Sequence, residues 1–297
     1  MAKIRVNLFG PTSVVLADGS VVRDLGGIKP RQVLEILALA LGSPVSKDRL
    51  VEQLWGDTPP RTFTATLESY VSLLRRRMGV ARGRGSALAT TSNGYVLDPD
   101  QVEVDLHEFG RLVAPRAGTA EAVLTRTEAA FRLVQGDLLA SEPYAEWAAD
   151  ERGHFEAVFV QACNRAAEQA LSVDRAGQAV ELARRAIGVD GMAESSWQLL
   201  IRGLAASGAR SEALRAYLDL RRTLVDALGT EPSAASRALY LDLLDEDPAE
   251  SAPAAGVHEV RTLLNLLRDA LDGLPDIDLS RNDRHATTST QRLVGAA

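Results

Sequence analysis

Arg61-Thr-Phe-Thr-Ala-Thr-Leu-Glu-Ser-Tyr-Val-Ser-Leu-Leu-Arg-Arg-Arg-Met78 decides how the rest of this chain is read. At 100° per residue, Phe63, Leu67, Tyr70, Val71, Leu74 and Met78 share one side of a helix, and Ala65, Ser69, Ser72 and Arg76 fall nearly opposite. Glu68 and Arg75 flank the outward stripe on one side and Arg77 on the other. A helix enters the DNA major groove only with its bulky apolar residues turned away. Short hydroxyl side chains then allow close approach, and an arginine can pair bidentately with guanine. Arg75, Arg76, Arg77, Arg82 and Arg84 bring charge for phosphates, and Arg61 and Thr66 complete the candidate set on this helix. The competing reading is a solvated face whose basic end is favoured by the helix dipole.

The flanking sequence favours the first reading. Gly56-Asp-Thr-Pro-Pro60 is a short break after a helix with Leu50, Val51, Leu54 and Trp55 on its apolar side and Ser46 as N-cap. Two such helices joined by a tight turn are the helix-turn-helix arrangement. Upstream, Val33, Leu34, Leu37, Ala38 and Leu41 mark a helix stopped by Gly42-Ser43-Pro44. Before it, strand-like alternation runs through Ile4, Val6 and Leu8, then Val14 to Leu16, with Asp18-Gly19 turning into Val21-Val22. Downstream, Asn93-Gly94 between two β-like runs predicts a hairpin placed as a wing. Thr91, Ser92 and Asn93 at its tip suit phosphate or base-edge contacts, and ordinary turn chemistry equally. Asp98-Pro99-Asp100 closes an α+β winged helix-turn-helix domain over residues 1–100.

From Asp105 the pattern is helical. Ala179, Val180 and Ala183 recur 34 residues later as Ala213, Leu214 and Tyr217, the period of a TPR unit, so 101–246 is expected to be an all-α, TPR-like domain. Residues 247–297 are expected to hold a linker, a short amphipathic helix from His258 to Leu271 and a flexible polar tail.

The net charge of −7 hides a division. Residues 1–97 hold 13 Lys/Arg against 7 Asp/Glu, while the rest holds 20 against 33. A basic head on an acidic body fits a polyanion partner, double-stranded DNA. The single cysteine, Cys163, forms no internal disulfide and sits among core residues, and with no signal core or membrane-length apolar run the reading is cytoplasmic and not membrane-bound. His107, His154, Trp147 and Trp197 can line a concave surface, though tryptophans in helical repeats usually pack; no second ligand near His107 suggests a metal. No catalytic or cofactor motif occurs, which argues against an enzyme.

Several stretches then carry a specific resemblance: Leu8-Phe9-Gly10, Lys29-Pro30-Arg31, Leu50-Val-Glu-Gln-Leu-Trp55, Tyr70-Val71-Ser72 with Leu74-Arg75-Arg76, and Asn93-Gly94-Tyr95. Residues 1–97 resemble the PhoB/OmpR-type winged helix of the SARP/AfsR-like activators of actinobacteria. Residues 105–245 are similar to the bacterial transcriptional activation domain that follows it, through Val104-Asp105-Leu106-His107-Glu108-Phe109, Gly136-Asp137-Leu138-Leu139, Trp147-Ala148, Glu151-Arg152, Glu212-Ala213-Leu214 and Leu228-Gly-Thr-Glu-Pro-Ser233. The resemblance implies activators that bind promoter direct repeats as side-by-side homodimers and recruit RNA polymerase, with 61–78 as recognition helix and Gly56–Pro60 as the polymerase-facing turn. Leu73 departs from the pattern, which usually has arginine there. That removes an expected DNA contact. Two alternatives stay open: a protein-interaction scaffold whose winged helix serves docking or dimerisation, and a sensor whose repeats bind a small-molecule effector.

Overall fold

The alternating residues of the first segment form strands β1 (Ile4–Asn7), β2 (Ser13–Val15) and β3 (Val21–Val22), with Ile4 and Val6 turned into the core. In this computed structural model, which describes residues 3–83 and 85–245, the sheet gains a fourth strand from beyond residue 100. That strand, β7 (Val102–Val104), runs parallel to β1 in the order β3-β2-β1-β7. The expected tail helix, with Leu263, Leu264, Leu267 and Leu271, lies outside the described residues.

Three helices follow: α1 (Ile28–Leu39), α2 (Lys47–Trp55) and α3 (Phe63–Arg77). The Ser46 hydroxyl caps α2 as expected, accepting from the Arg49 N–H at 3.1 Å. Helix α1 begins earlier than its apolar period suggested, because Lys29-Pro30-Arg31 lies in its first turn, where a proline N–H is not needed. The Lys29 ammonium donates to the carbonyl of Leu54 at the end of α2, and Trp55 stacks on Tyr70 of α3 at 6.3 Å. The wing hairpin, β5 (Leu88–Thr90) and β6 (Gly94–Leu97), forms as expected and is joined by a two-residue strand, β4 (Val45–Ser46), in the order β4-β6-β5.

The remainder is helical: α4 (Asp105–Val113), α5 (Ala120–Leu133), α6 (Ala149–Ser172), α7 (Ala176–Val189), α8 (Glu194–Ala206), α9 (Arg210–Leu228) and α10 (Ala234–Asp245). The 34-residue echo falls on α7 and α9, and all six repeated positions are buried, as stacked helix pairs require. Cys163 is fully buried in α6, its thiol pKa pushed up to about 12 by burial.

The N-terminal sheet and the helical body interlock, and Met1–Leu241 forms one compact unit. Asp105, the first residue of α4, accepts from the backbone N–H groups of Leu8 (2.9 Å) and Phe9 (3.0 Å) at the end of β1, and from Leu106 (2.8 Å). Burial raises its pKa while these three donors oppose the shift. Residues 137–139 lie against the same segment: Gly10 N–H donates to Asp137 O, Leu139 N–H to Leu8 O, and Phe9 bridges Leu138. Five of the six phenylalanines, Phe9, Phe109, Phe131, Phe155 and Phe159, meet in one cluster across this junction. The His107 ring contacts the Ala38 and Leu39 carbonyls at 3.0 and 3.2 Å, so it joins α4 to α1 rather than lining a free surface.

A buried polar cluster completes the junction. Glu35 of α1, fully shielded from solvent, accepts a 2.5 Å hydrogen bond from Thr12. Arg31 faces it at 3.4 Å and also pairs with Glu142 at 2.5 Å, while Arg152 approaches from α6. Burial is the largest influence and raises the Glu35 pKa to about 7, with Glu142 adding to it and Thr12, Arg31 and Arg152 pulling back. The folded protein therefore binds this proton more tightly than the unfolded chain. Its stabilisation is complete below the unfolded value near 4.5 and is lost as pH rises through about 7. Unfolding free energies from urea titrations are expected to be lower at pH 8 than at pH 5 by up to roughly 3 kcal/mol from this group. Glu35→Gln should remove most of that slope; an unchanged slope would assign it to other groups.

Candidate nucleic-acid interface

Helix α3 presents the two faces its period requires. Leu67, Val71 and Leu74 are buried, Met78 follows at the C-cap, and Phe63 and Tyr70 are half-buried. Ala65, Ser69 and Arg76 are exposed and Ser72 is half-exposed, so the small polar stripe faces out. Together with Glu68 and Arg82 these residues border an open cleft of about 680 Å³. The Ser69 hydroxyl donates to the Ala65 carbonyl at 2.9 Å, leaving its lone pairs outward. Arg82 donates to Ser72 Oγ at 2.9 Å, which draws the segment after α3 against its outer face. Arg76 has no ion-pair or hydrogen-bond partner among the described residues. Its guanidinium is free.

The other candidates are distributed unevenly. Arg61 is exposed before α3, and Thr66 is half-buried with its hydroxyl 3.5 Å from that of Thr62. Arg77 is exposed but pairs with Asp24 at 2.8 Å. Ser92 and Asn93 stand exposed at the wing tip and Thr91 is half-buried; the Asn93 carbonyl accepts from the Lys47 N–H at 2.9 Å, which seats the tip beside α2. Arg84 lies outside the described residues.

Arg75 requires a correction. It was grouped with the phosphate-neutralising arginines, yet its side chain is buried, with Nε donating to the Leu88 carbonyl at 2.9 Å and Nη2 to Thr90 Oγ1 at 2.7 Å. Burial lowers its pKa from the ordinary guanidinium value. It ties the wing to α3 instead of facing outward. Spacing left it at the border: Arg75 flanks the outward stripe, yet it also follows Val71 by four residues and so adjoins the inner face.

Two further charged residues were not in the candidate set. Lys47 pairs with Glu68 at 2.7 Å, and that carboxylate holds the ammonium pKa above its usual value. The pair bridges the start of α2 to the outer flank of α3. Leu73, where the resemblance expected arginine, packs over the loop before α1: a Cβ on Gly26 would lie 2.2 Å from Leu73 Cδ2. The leucine closes that seam.

Residues 27–97 match the family described as "Transcriptional regulatory protein, C terminal", and residues 104–244 match "Bacterial transcriptional activator domain". The regulatory protein DnrI of Streptomyces peucetius is 32% identical over 257 residues, covering 82% of this chain and 93% of that protein. The chain belongs to the SARP family of transcriptional regulators. This SARP is also 28% identical to the transcriptional regulator RedD of Streptomyces coelicolor, over 85% of its own length and 73% of RedD. The structure of Mycobacterium tuberculosis EmbR, determined in complex with a low-affinity phosphopeptide, matches with a TM-score of 0.71 at 27% identity. That match covers 91% of the SARP chain and 71% of EmbR. The winged-helix-like module followed by a helical domain is thus the architecture of a known regulator, and the relatives are regulators rather than enzymes.

Proposed function

We propose that this SARP regulator binds promoter DNA sequence-specifically, with α3 in the major groove and the β5–β6 hairpin as wing. It acts as an activator that occupies direct repeats as a homodimer. The observation that carries this is the outward stripe of α3. Ala65, Ser69 and Ser72 leave room for base edges, and unpaired Arg76 is available for bidentate contact with guanine. Arg82 and Arg77 flank the helix where phosphates would run, whereas Arg75 is assigned to the scaffold. The Gly56–Pro60 turn serves RNA polymerase in this reading. It is largely exposed, and Gly56 borders a groove with Tyr144, whose side chain stands 95% in solvent.

Mobility-shift titrations test the proposal. Arg76→Ala is expected to cost about 1–3 kcal/mol on the cognate site and to relax preference at one base pair. Arg82→Ala is expected to weaken binding to all sequences about equally and reduce the salt slope by about one. Equal affinity of the parent for its own promoter and for unrelated DNA would instead favour the scaffold reading, with the winged helix used for docking or dimerisation.

A further inference from the structure

We infer that the cleft at the C-terminal end of α4 is a binding site for a small polyanion bearing carboxylate or phosphate groups. The cleft encloses about 320 Å³ between the 114–119 loop and the facing sides of α5 and α6. Each of these elements contributes an arginine: Arg116 from the loop, Arg126 from α5 and Arg165 from α6.

Among the described residues, none of the three has an ion-pair partner. Several other arginines of the helical body are neutralised in place: Arg111 by Glu108, Arg132 by Glu128, Arg175 by Glu121, Arg184 by Glu212 and Arg221 by Glu231. Beyond residue 97 acidic residues outnumber basic ones 33 to 20, yet this one cleft gathers three arginines that have no carboxylate partner among the described residues. Glu168 borders the same cleft and pairs with none of them.

Among the described residues Arg126 has no hydrogen-bond partner, and its Nε is buried with no acceptor. A charged N–H removed from water needs an acceptor, and the cleft beside it is where one would enter. The guanidinium reaches the loop: a Cβ on Gly118 would lie 4.0 Å from Arg126 Nη2. Arg165 donates from Nη2 to the Val113 carbonyl at 2.6 Å, which leaves its other N–H groups for a ligand. Planar guanidinium forks of this kind suit carboxylate and phosphate oxygens bidentately.

The position gives such a ligand leverage. Helix α4 has nine residues; the carbonyl of its last, Val113, is held by Arg165, and its first residue is Asp105, which clamps β1. An anion drawing Arg126 and Arg165 together would tighten the far end of the helix that joins the body to the N-terminal sheet.

Thermal unfolding of the full chain tests this without DNA, in low millimolar sodium pyrophosphate, sodium malonate, and sodium chloride of matched ionic strength. A saturable rise in Tm of about 3–5 °C at roughly tenfold Kd is expected with one of the two polyanions. The polyanion that produces it assigns the ligand to phosphate or carboxylate chemistry. The rise should vanish in Arg126→Gln, diminish in Arg116→Gln and persist in Arg222→Gln, whose arginine lies away from the cleft. Arg116 is exposed, with no hydrogen bond or ion pair among the described residues, so its variant keeps the test decisive if Arg126→Gln unfolds. No rise above chloride, or an equal rise in Arg116→Gln and the parent, overturns the assignment.

Discussion

Asp105→Ala is expected to destabilise the chain by about 3–5 kcal/mol, read as a fall in the urea midpoint. The carboxylate accepts the Leu8, Phe9 and Leu106 N–H groups, and the residue is only 4% exposed, so water cannot take its place without opening the junction. Each buried backbone donor left without an acceptor costs about 1–3 kcal/mol. Two of the three belong to the end of β1, so the loss falls on the seam between the sheet and the helical body. Asp105→Asn should recover only part of it. One of its two terminal atoms becomes a donor, which then faces N–H groups on β1 or α4. A loss below about 1 kcal/mol for the alanine variant would mean that residues 137–139 and the phenylalanine cluster hold the seam without the clamp.

What the sequence revealed and what it hid divide by range. The two faces of α3, the Ser46 cap and the α7/α9 repeat are periodic signals within one element or one repeat, and each was legible from spacing alone. Strand β7 has the alternating pattern Val102-Glu103-Val104, but three residues are too few to stand out. Its partner lies almost a hundred residues away in β1. Leu8-Phe9-Gly10 and Gly136-Asp137-Leu138-Leu139 were recognisable as separate family stretches, yet nothing within either announced that they hydrogen-bond to one another. The expected boundary at residue 100 therefore cut through a sheet. Arg75 was misassigned for another reason. Its helical position lies at the border of the two faces, one turn past Val71, and its charge suggested solvent, whereas two acceptors on β5 draw it inward. Sequence pattern fixed which face α3 buries, but the polar partners of that face come from the wing.

The second large effect is expected at Gly94. Asn93-Gly94 suggested a hairpin turn that needs glycine for its backbone angles, whereas the structure gives a different reason. Gly94 starts β6 opposite Ser46 of β4, and its φ does not lie in the left-handed region. A Cβ there would sit 1.9 Å from the Val45 carbonyl oxygen, 2.7 Å from the Val45 carbonyl carbon and 2.9 Å from Ser46 Cα. All three are backbone atoms, so no side-chain rotation relieves the overlap. Strand β4 would have to leave β6. That would also disturb the Ser46 cap of α2 and the Lys47-to-Asn93 backbone bond beside it. Gly94→Ala is therefore expected to cost at least about 3 kcal/mol, at the upper end of overpacking changes. Its amide exchange should quicken first in β4, β6 and the start of α2, leaving α7–α9 protected. Asn93→Ala, one residue away at an exposed position, should change stability by less than about 0.5 kcal/mol. If the two variants were equally mild, β4 would be free to separate from β6, and the wing would not be held against the start of the helix-turn-helix.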